Sequence, residues 1–231
     1  IMKSKDPFLA IKNYSFENRK AAGKIKAAQR FIGNKKNNKA ILLIGFGGTI
    51  SSGYTPTKET IVPLHPSPAI KQIEYMNLFG TSNLQFEHID FLAKDSRDIT
   101  TNDLETLLDI LNLVPHKRIL ITAGTYMLPK IACVIIDHCR GKNKTVALTG
   151  SILPAGFVAS DADANIWSAL SILNYKALND SGDNEMSVIV VFHGRVFEKR
   201  QEIQKLNLHP KKMHDLVIQY PLTTVPTNNV L

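Results

Sequence analysis

The chain has 231 residues, 44% of them hydrophobic, enough to bury the core of one α/β domain and to exclude global disorder. Its 28 Lys and Arg against 20 Asp and Glu give a formal charge of +8, a balance that points first to nucleic acid. Two cysteines, Cys133 and Cys139, exclude a disulfide-built scaffold and a zinc framework, and fit a reducing, cytoplasmic compartment.

The charge is unevenly placed. Residues 1–39 hold 11 Lys/Arg against Asp6 and Glu17, a net +9, whereas residues 40–231 carry 17 basic and 18 acidic residues, a net of −1. The chain therefore divides into a basic extension with its linker, 1–39, and a nearly neutral α/β domain, 40–231. Nucleic acid is an expectation for the extension alone. A membrane partner is not expected, because no apolar run approaches the roughly 20 residues of a spanning helix. The N-terminus carries no secretory-signal pattern.

Residues 15–32 predict a basic amphipathic helix with Ser15 as N-cap and Ala21, Ile25, Ala28 and Phe31 at helical spacing. AILLIGF then predicts a buried strand ending in a Gly-Gly turn. Ser67-Pro68 is a helix start for AIKQIEYMNLF. LQFEHIDFLA predicts a strand, TNDLETLLDIL a helix, RILITAG a strand and PKIACVIIDHCR a helix. KTVALTG, DADANIWSALSILNYKAL and MSVIVVFHG continue as strand, helix and strand. This alternation predicts a doubly wound, mostly parallel sheet, in which ligands bind beyond the carboxyl ends of the strands.

The strand exits are therefore where chemistry is sought. They read GFGGTISSGYT, AKDSRDIT, AGTYMLP and TGSILPAGFVASD. The first is a poor nucleotide loop: the third glycine of a dinucleotide fingerprint is replaced by Ile50, and no Lys-Ser/Thr follows as a Walker loop requires. What remains is a Gly47-Gly48 turn presenting Thr49, and a second exit in which Gly124 presents Thr125. A threonine hydroxyl becomes a nucleophile once a neighbour takes its proton. Both hydroxyls serve equally well as caps of the following turns, and spacing does not choose between these uses. His209 and His214 lie five apart, which does not suit a helical metal pair. Cys133 and Cys139 fit a helix core.

Five ordered blocks carry a resemblance. GFGGTI (45–50), KDSRDIT (94–100), ITAGTYMLPKIA (121–132), VALTGSILPAGFVASDADANIWSAL (146–170) and HGRVFEKRQEIQK (193–205) resemble successive motifs of the bacterial-type L-asparaginases. The match covers about residues 40–206 and is similar to a short, single-domain form without the smaller C-terminal domain. The resemblance implies a threonine amidohydrolase that needs no cofactor. Thr49 matches the nucleophile, Tyr54 the tyrosine near it, Ser96 the residue holding the substrate's α-carboxylate, and Thr125 the second threonine. Lys205 matches the lysine that polarises Thr125, with Gln204 as the alternative register. Gly48, Gly124 and Ser151 are expected in the substrate pocket, flanked by Gly150 and Asp161. A homodimer is expected by the same resemblance.

Two departures bear on activity. Tyr126 stands where the family has an aspartate that accompanies the threonine–lysine pair and binds the substrate's ammonium group. A phenol, titrating near about pH 10, does not supply that charge. Arg97 replaces a small or neutral residue, and either grips a substrate carboxylate or pairs with Asp95 or Asp98. The expected function is amide hydrolysis through Thr49 on a small-molecule substrate other than free asparagine, with activity lowered by Tyr126. The alternatives are an asparaginase-like binding module that has lost efficient catalysis, and an amidotransferase-like subunit meeting tRNA through its basic arm.

Overall fold

The computed structural model describes residues 40–57, 59–79, 84–139, 143–178 and 187–208. The basic helix expected at 15–32 lies outside them. Strand β1 spans Ile41–Phe46 and is followed by a 3-10 turn, Thr49–Ser51, and a hairpin of β2 (Ser52–Thr55) and β3 (Thr60–Pro63). Then come α1 (Pro68–Phe79), β4 (Phe86–Leu92), α2 (Thr101–Leu113), β5 (Arg118–Ala123), α3 (Leu128–His138), β6 (Thr145–Thr149), α4 (Ala162–Leu178), β7 (Ser187–Phe192), β8 (Arg195–Phe197) and α5 (Arg200–Gln204). The predicted alternation is present. The hairpin is an addition: SGYT and TIVP are too short and too mixed in polarity to announce themselves.

The main sheet has the order β4-β1-β5-β6-β7-β8, parallel except for β8, which returns antiparallel on β7. All six residues of β1 are buried, as a central strand covered on both faces requires. Leu42, Ile44 and Phe46 pack with α2 and α3 through Leu104, Leu108, Ile131 and Ile135. Ile41 and Leu43 face the other way, against Ala69 and Ile73 of α1 and Ile166, Ala169 and Leu173 of α4. Each fully buried Leu or Ile contributes roughly 2 kcal/mol relative to its exposed state, so the pleat of β1 welds both helical layers to one strand. This is the doubly wound α/β architecture.

Two consequences of this winding place the site. Strands β1 and β5 are neighbours, yet the chain leaves β1 toward the α1/α4 face and leaves β5 toward the α2/α3 face. The loops after Phe46 and Ala123, which carry Thr49 and Thr125, therefore leave neighbouring strands toward opposite faces, the kind of switch point at which ligands bind in such sheets. The steps β5 to β6 and β6 to β7 move the same way across the sheet, but α3 covers one face and α4 the other. The β6–α4–β7 crossover thus has the opposite hand to the rest, against the strong uniformity of such connections. The loop 150–161 accomplishes this by passing over the carboxyl edge of the sheet.

Candidate active site at the strand exits

The exit of β1 must turn sharply. Gly47 and Gly48 take φ of 67° and 77°, the left-handed region that a Cβ disfavours. A Cβ at Gly48 would also fall 2.2 Å from the Cα and N of Gly124, and one at Gly124 would fall 2.5 Å from the Cβ of Ser96. The first and third exits therefore meet backbone to backbone, and the third meets the Ser96 side chain of the second, with no room for a Cβ on either glycine. The Gly48 N–H donates to Lys94 O at 2.9 Å, and Ala155 N donates to Ile50 O at 3.3 Å. The fourth exit is thereby tied to the same turn. Gly48, Thr49, Ser96, Gly124 and Thr125 form one contiguous constellation.

Within it Thr49 is half-buried, and Thr125 and Ser96 are buried. Both Ser51 and Ser52 brace the Thr49 turn from below. Ser52 Oγ donates to Gly48 O at 2.9 Å, and Ser67 Oγ donates to Ser51 Oγ at 2.8 Å. Thr125 begins the turn into α3, where Gly124 O accepts from the N–H groups of Met127 and Leu128. The positive end of the α3 dipole lies beside that turn, which favours negative charge developing there.

The Ser96 loop is set by the start of α2. Thr100 caps the helix and Asp103 reciprocates, a capping box in which Asp103 Oδ2 accepts from Thr100 N and Oγ1 at 2.9 and 2.7 Å. Lys94 Nζ joins the same carboxylate at 2.8 Å. Burial alone would raise the Asp103 pKa, but the bonds from Lys94 and Thr100 outweigh it and hold the carboxyl below its ordinary value. Arg97 closes its guanidinium on Asp95, Nε to Oδ1 at 2.9 Å and Nη2 to Oδ2 at 3.0 Å. That bond, followed by the charge of Asp95, raises the Arg97 pKa. Its fork is engaged, and the ion-pair alternative is the one realised.

The remaining expected residues lie around this centre. Tyr54 is exposed on β2 opposite Ile61, and Tyr126 is exposed beside Thr125 with Lys130 Nζ 5.9 Å from its ring centroid. Ser151 is buried, its Oγ donating to Leu153 O. Lys205 is exposed at the C-cap of α5. Gln204 accepts from Arg200 Nη1 at 2.9 Å and lines a groove between α3 and α5. Among the described residues no hydrogen bond links either one to Thr125. Sequence reading missed Lys94, Lys130, Asn165 and His193. Asn165 reaches Gly150 O, 15 positions away, besides Asp161 four positions away, and the His193 ring reaches Asp161 across 32 positions, long links that no local pattern announces.

Among the described residues, no group of His, Cys, Asp and Glu could hold a metal ion and no helix is long and apolar enough to cross a membrane. Residues 40–230 match a family model described as asparaginase, N-terminal. The fold is similar to the thermostable L-asparaginase from Thermococcus kodakarensis, with TM-score 0.55 and 25% identity over 69% of this chain and 45% of that one. It is also similar to L-asparaginase I from Vibrio cholerae, with TM-score 0.53 and 21% identity over 69% of this chain and 46% of that one, a likeness of fold. The chain spans less than half the length of these structures. No curated protein matches it.

Proposed function

The chain belongs to the asparaginase family, matched by that family's N-terminal domain over residues 40–230, and on this premise we propose that it hydrolyses the side-chain amide of a small carboxylated molecule. The observation that carries the reading is the close approach of the Gly48 backbone to that of Gly124, and of Gly124 to the Ser96 side chain. It brings the chain segments that carry Thr49, Thr125 and Ser96 together with only glycines at their points of closest approach. Such a close-packed, fixed arrangement is what positioning catalysis requires.

In this reading Thr49 Oγ attacks the amide carbon, the C–N bond breaks, ammonia leaves, and water hydrolyses the resulting acyl-enzyme. Thr125 transfers the proton, with Lys205 as its cation by resemblance. Backbone N–H groups of the exits stabilise the oxyanion, and the Gly48 N–H is excluded from that role because it is bonded to Lys94 O. Ser96 holds the substrate's carboxylate. Arg97, its guanidinium already closed on Asp95 and its charge offset there, takes no part in holding it.

The test is an ammonia-release screen over small amides with wild type, Thr49→Ala and Thr49→Ser. Release that disappears in Thr49→Ala and partly returns in Thr49→Ser supports the reading. Release unaffected by Thr49→Ala overturns it. A second reading, a binding module, is favoured by the exposed Tyr126 in place of a carboxylate. Its mark is ligand-dependent thermal stabilisation with no ammonia across the panel.

A further inference from the structure

The loop 150–161 carries the reversed crossover, and a small polar cluster holds it. Asp161 accepts from Ile152 N at 2.9 Å, Leu153 N at 3.1 Å, Asn165 Nδ2 at 2.9 Å and the His193 ring at 3.0 Å. Asn165, 1% exposed, uses its amide in two further directions. Its Nδ2 donates to Gly150 O at 3.0 Å, and its Oδ1 accepts from His193 N at 2.8 Å. The exit of β6, the start of α4 and the exit of β7 are thereby bound to one another.

The far side of that cluster lies beside the site. Gly150 lies so close that a Cβ there would fall 2.5 Å from Ala123 O and 3.5 Å from the Thr125 methyl. Gly150 O is the atom that Asn165 holds. Resting on the reading of Thr125 as the proton-transfer group, we propose that Asp161, Asn165 and His193 are positioning residues, which hold the Gly150 backbone beside Thr125, bound the space of its methyl group and so fix the rotamer of its hydroxyl. A threonine has a stiff χ1, so whatever bounds the space of its methyl also decides where its oxygen points.

Two details support a built device rather than incidental packing. His193 takes φ of 48°, a left-handed conformation in which histidine, like asparagine and aspartate, is enriched. The strain is held in place by bonds at both its N–H and its ring. Burial alone would raise the Asp161 pKa, yet the His193 ring and the Leu153 and Ile152 amides hold it below the ordinary value, keeping it an acceptor for all four donors.

The test uses Asn165→Ala and the milder His193→Asn, which tolerates the left-handed backbone but does not reach Asp161. The Thr125 χ1 is read from three-bond methyl couplings in the labelled full chain, alongside steady-state ammonia release. The expected result is rotamer averaging at Thr125 in both variants. For Asn165→Ala, kcat falls at least tenfold while KM stays within twofold, and the loss vanishes when Asn165→Ala is placed in a Thr125→Ala background. A single retained Thr125 rotamer in folded His193→Asn, or a kcat loss that persists in the Thr125→Ala background, overturns the proposal. Absence of ammonia from wild type would instead overturn the catalytic reading, and the couplings would still decide the clamp.

Discussion

Gly48 and Gly124 touch backbone to backbone: a Cβ on the first would fall 2.2 Å from the Cα of the second. Gly48 also has φ of 77°. Gly48→Ala therefore combines backbone strain with a clash that no side-chain rotation relieves, and is expected to cost roughly 3 kcal/mol in urea unfolding. Gly156→Ala, where a Cβ would meet nothing within 4 Å, is the matched control and is expected to change stability by less than about 0.5 kcal/mol.

Tyr126 stands beside Thr125 and is 49% exposed, so exchanging it disturbs little packing. Tyr126→Asp restores a carboxylate next to Thr125 and gives a substrate ammonium group an ionic partner. The expected outcome is at least a tenfold rise in kcat/KM for L-asparagine in an ammonia-release assay, with no gain when Thr49→Ala is combined with it.

Ser96 is buried in the constellation, whereas Arg97 is exposed and paired with Asp95. Ser96→Ala is expected to raise KM at least tenfold through loss of a bond to the substrate carboxylate. Arg97→Gln is expected to raise it less than threefold. The opposite order in initial-rate measurements would make Arg97 the carboxylate ligand and break its pairing with Asp95 on binding.

Asp103 links Lys94 to the cap of α2. Its folded pKa is lowered relative to the unfolded value near about 3.9, so its contribution is fully present above that pH. It is lost as pH falls through the folded pKa. Asp103→Asn is expected to cost about 1–2 kcal/mol at pH 7, with the difference from wild type shrinking progressively below about pH 4. Urea midpoints measured at pH 7, 4 and 3 check both the size and the sign.

Lys205 is exposed at the end of α5, and Lys130 lies over the Tyr126 ring near Thr125. If Lys205 is the cation of the proton-transfer pair, Lys205→Met lowers kcat at least tenfold and Lys130→Met leaves it within threefold. The reverse outcome in the same assay would assign the role to Lys130.

Much of this molecule was legible in its residues. The apolar run at 41–46, the Ser67-Pro68 helix start and the helix of TNDLETLLDIL each rest on interactions within a few positions of chain, so local pattern suffices to find them. The order of five motif blocks pointed to the family and to Gly48, Thr49, Ser96, Gly124 and Thr125, and the fold brings these together. The hairpin at 52–63 was not legible, because four-residue strands of mixed polarity carry too little periodicity. Nor was the choice between the two uses of Arg97, which depends on where the Asp95 side chain points.

The sequence alone determined the alternation of strands and helices, the separation of a +9 extension from a body of −1, and the residue types at the strand exits, since each follows from composition and short-range spacing. Only the tertiary structure decided that Gly48 and Gly124 share one contact, that Arg97 is closed on Asp95, and that Asp161 and Asn165 reach His193 across a reversed crossover. Those relations join positions from two to more than seventy apart. The short one turns on side-chain direction within a loop, and the long ones depend on which face of the sheet each helix covers, a choice made by the packing of whole layers and not by any local run of residues.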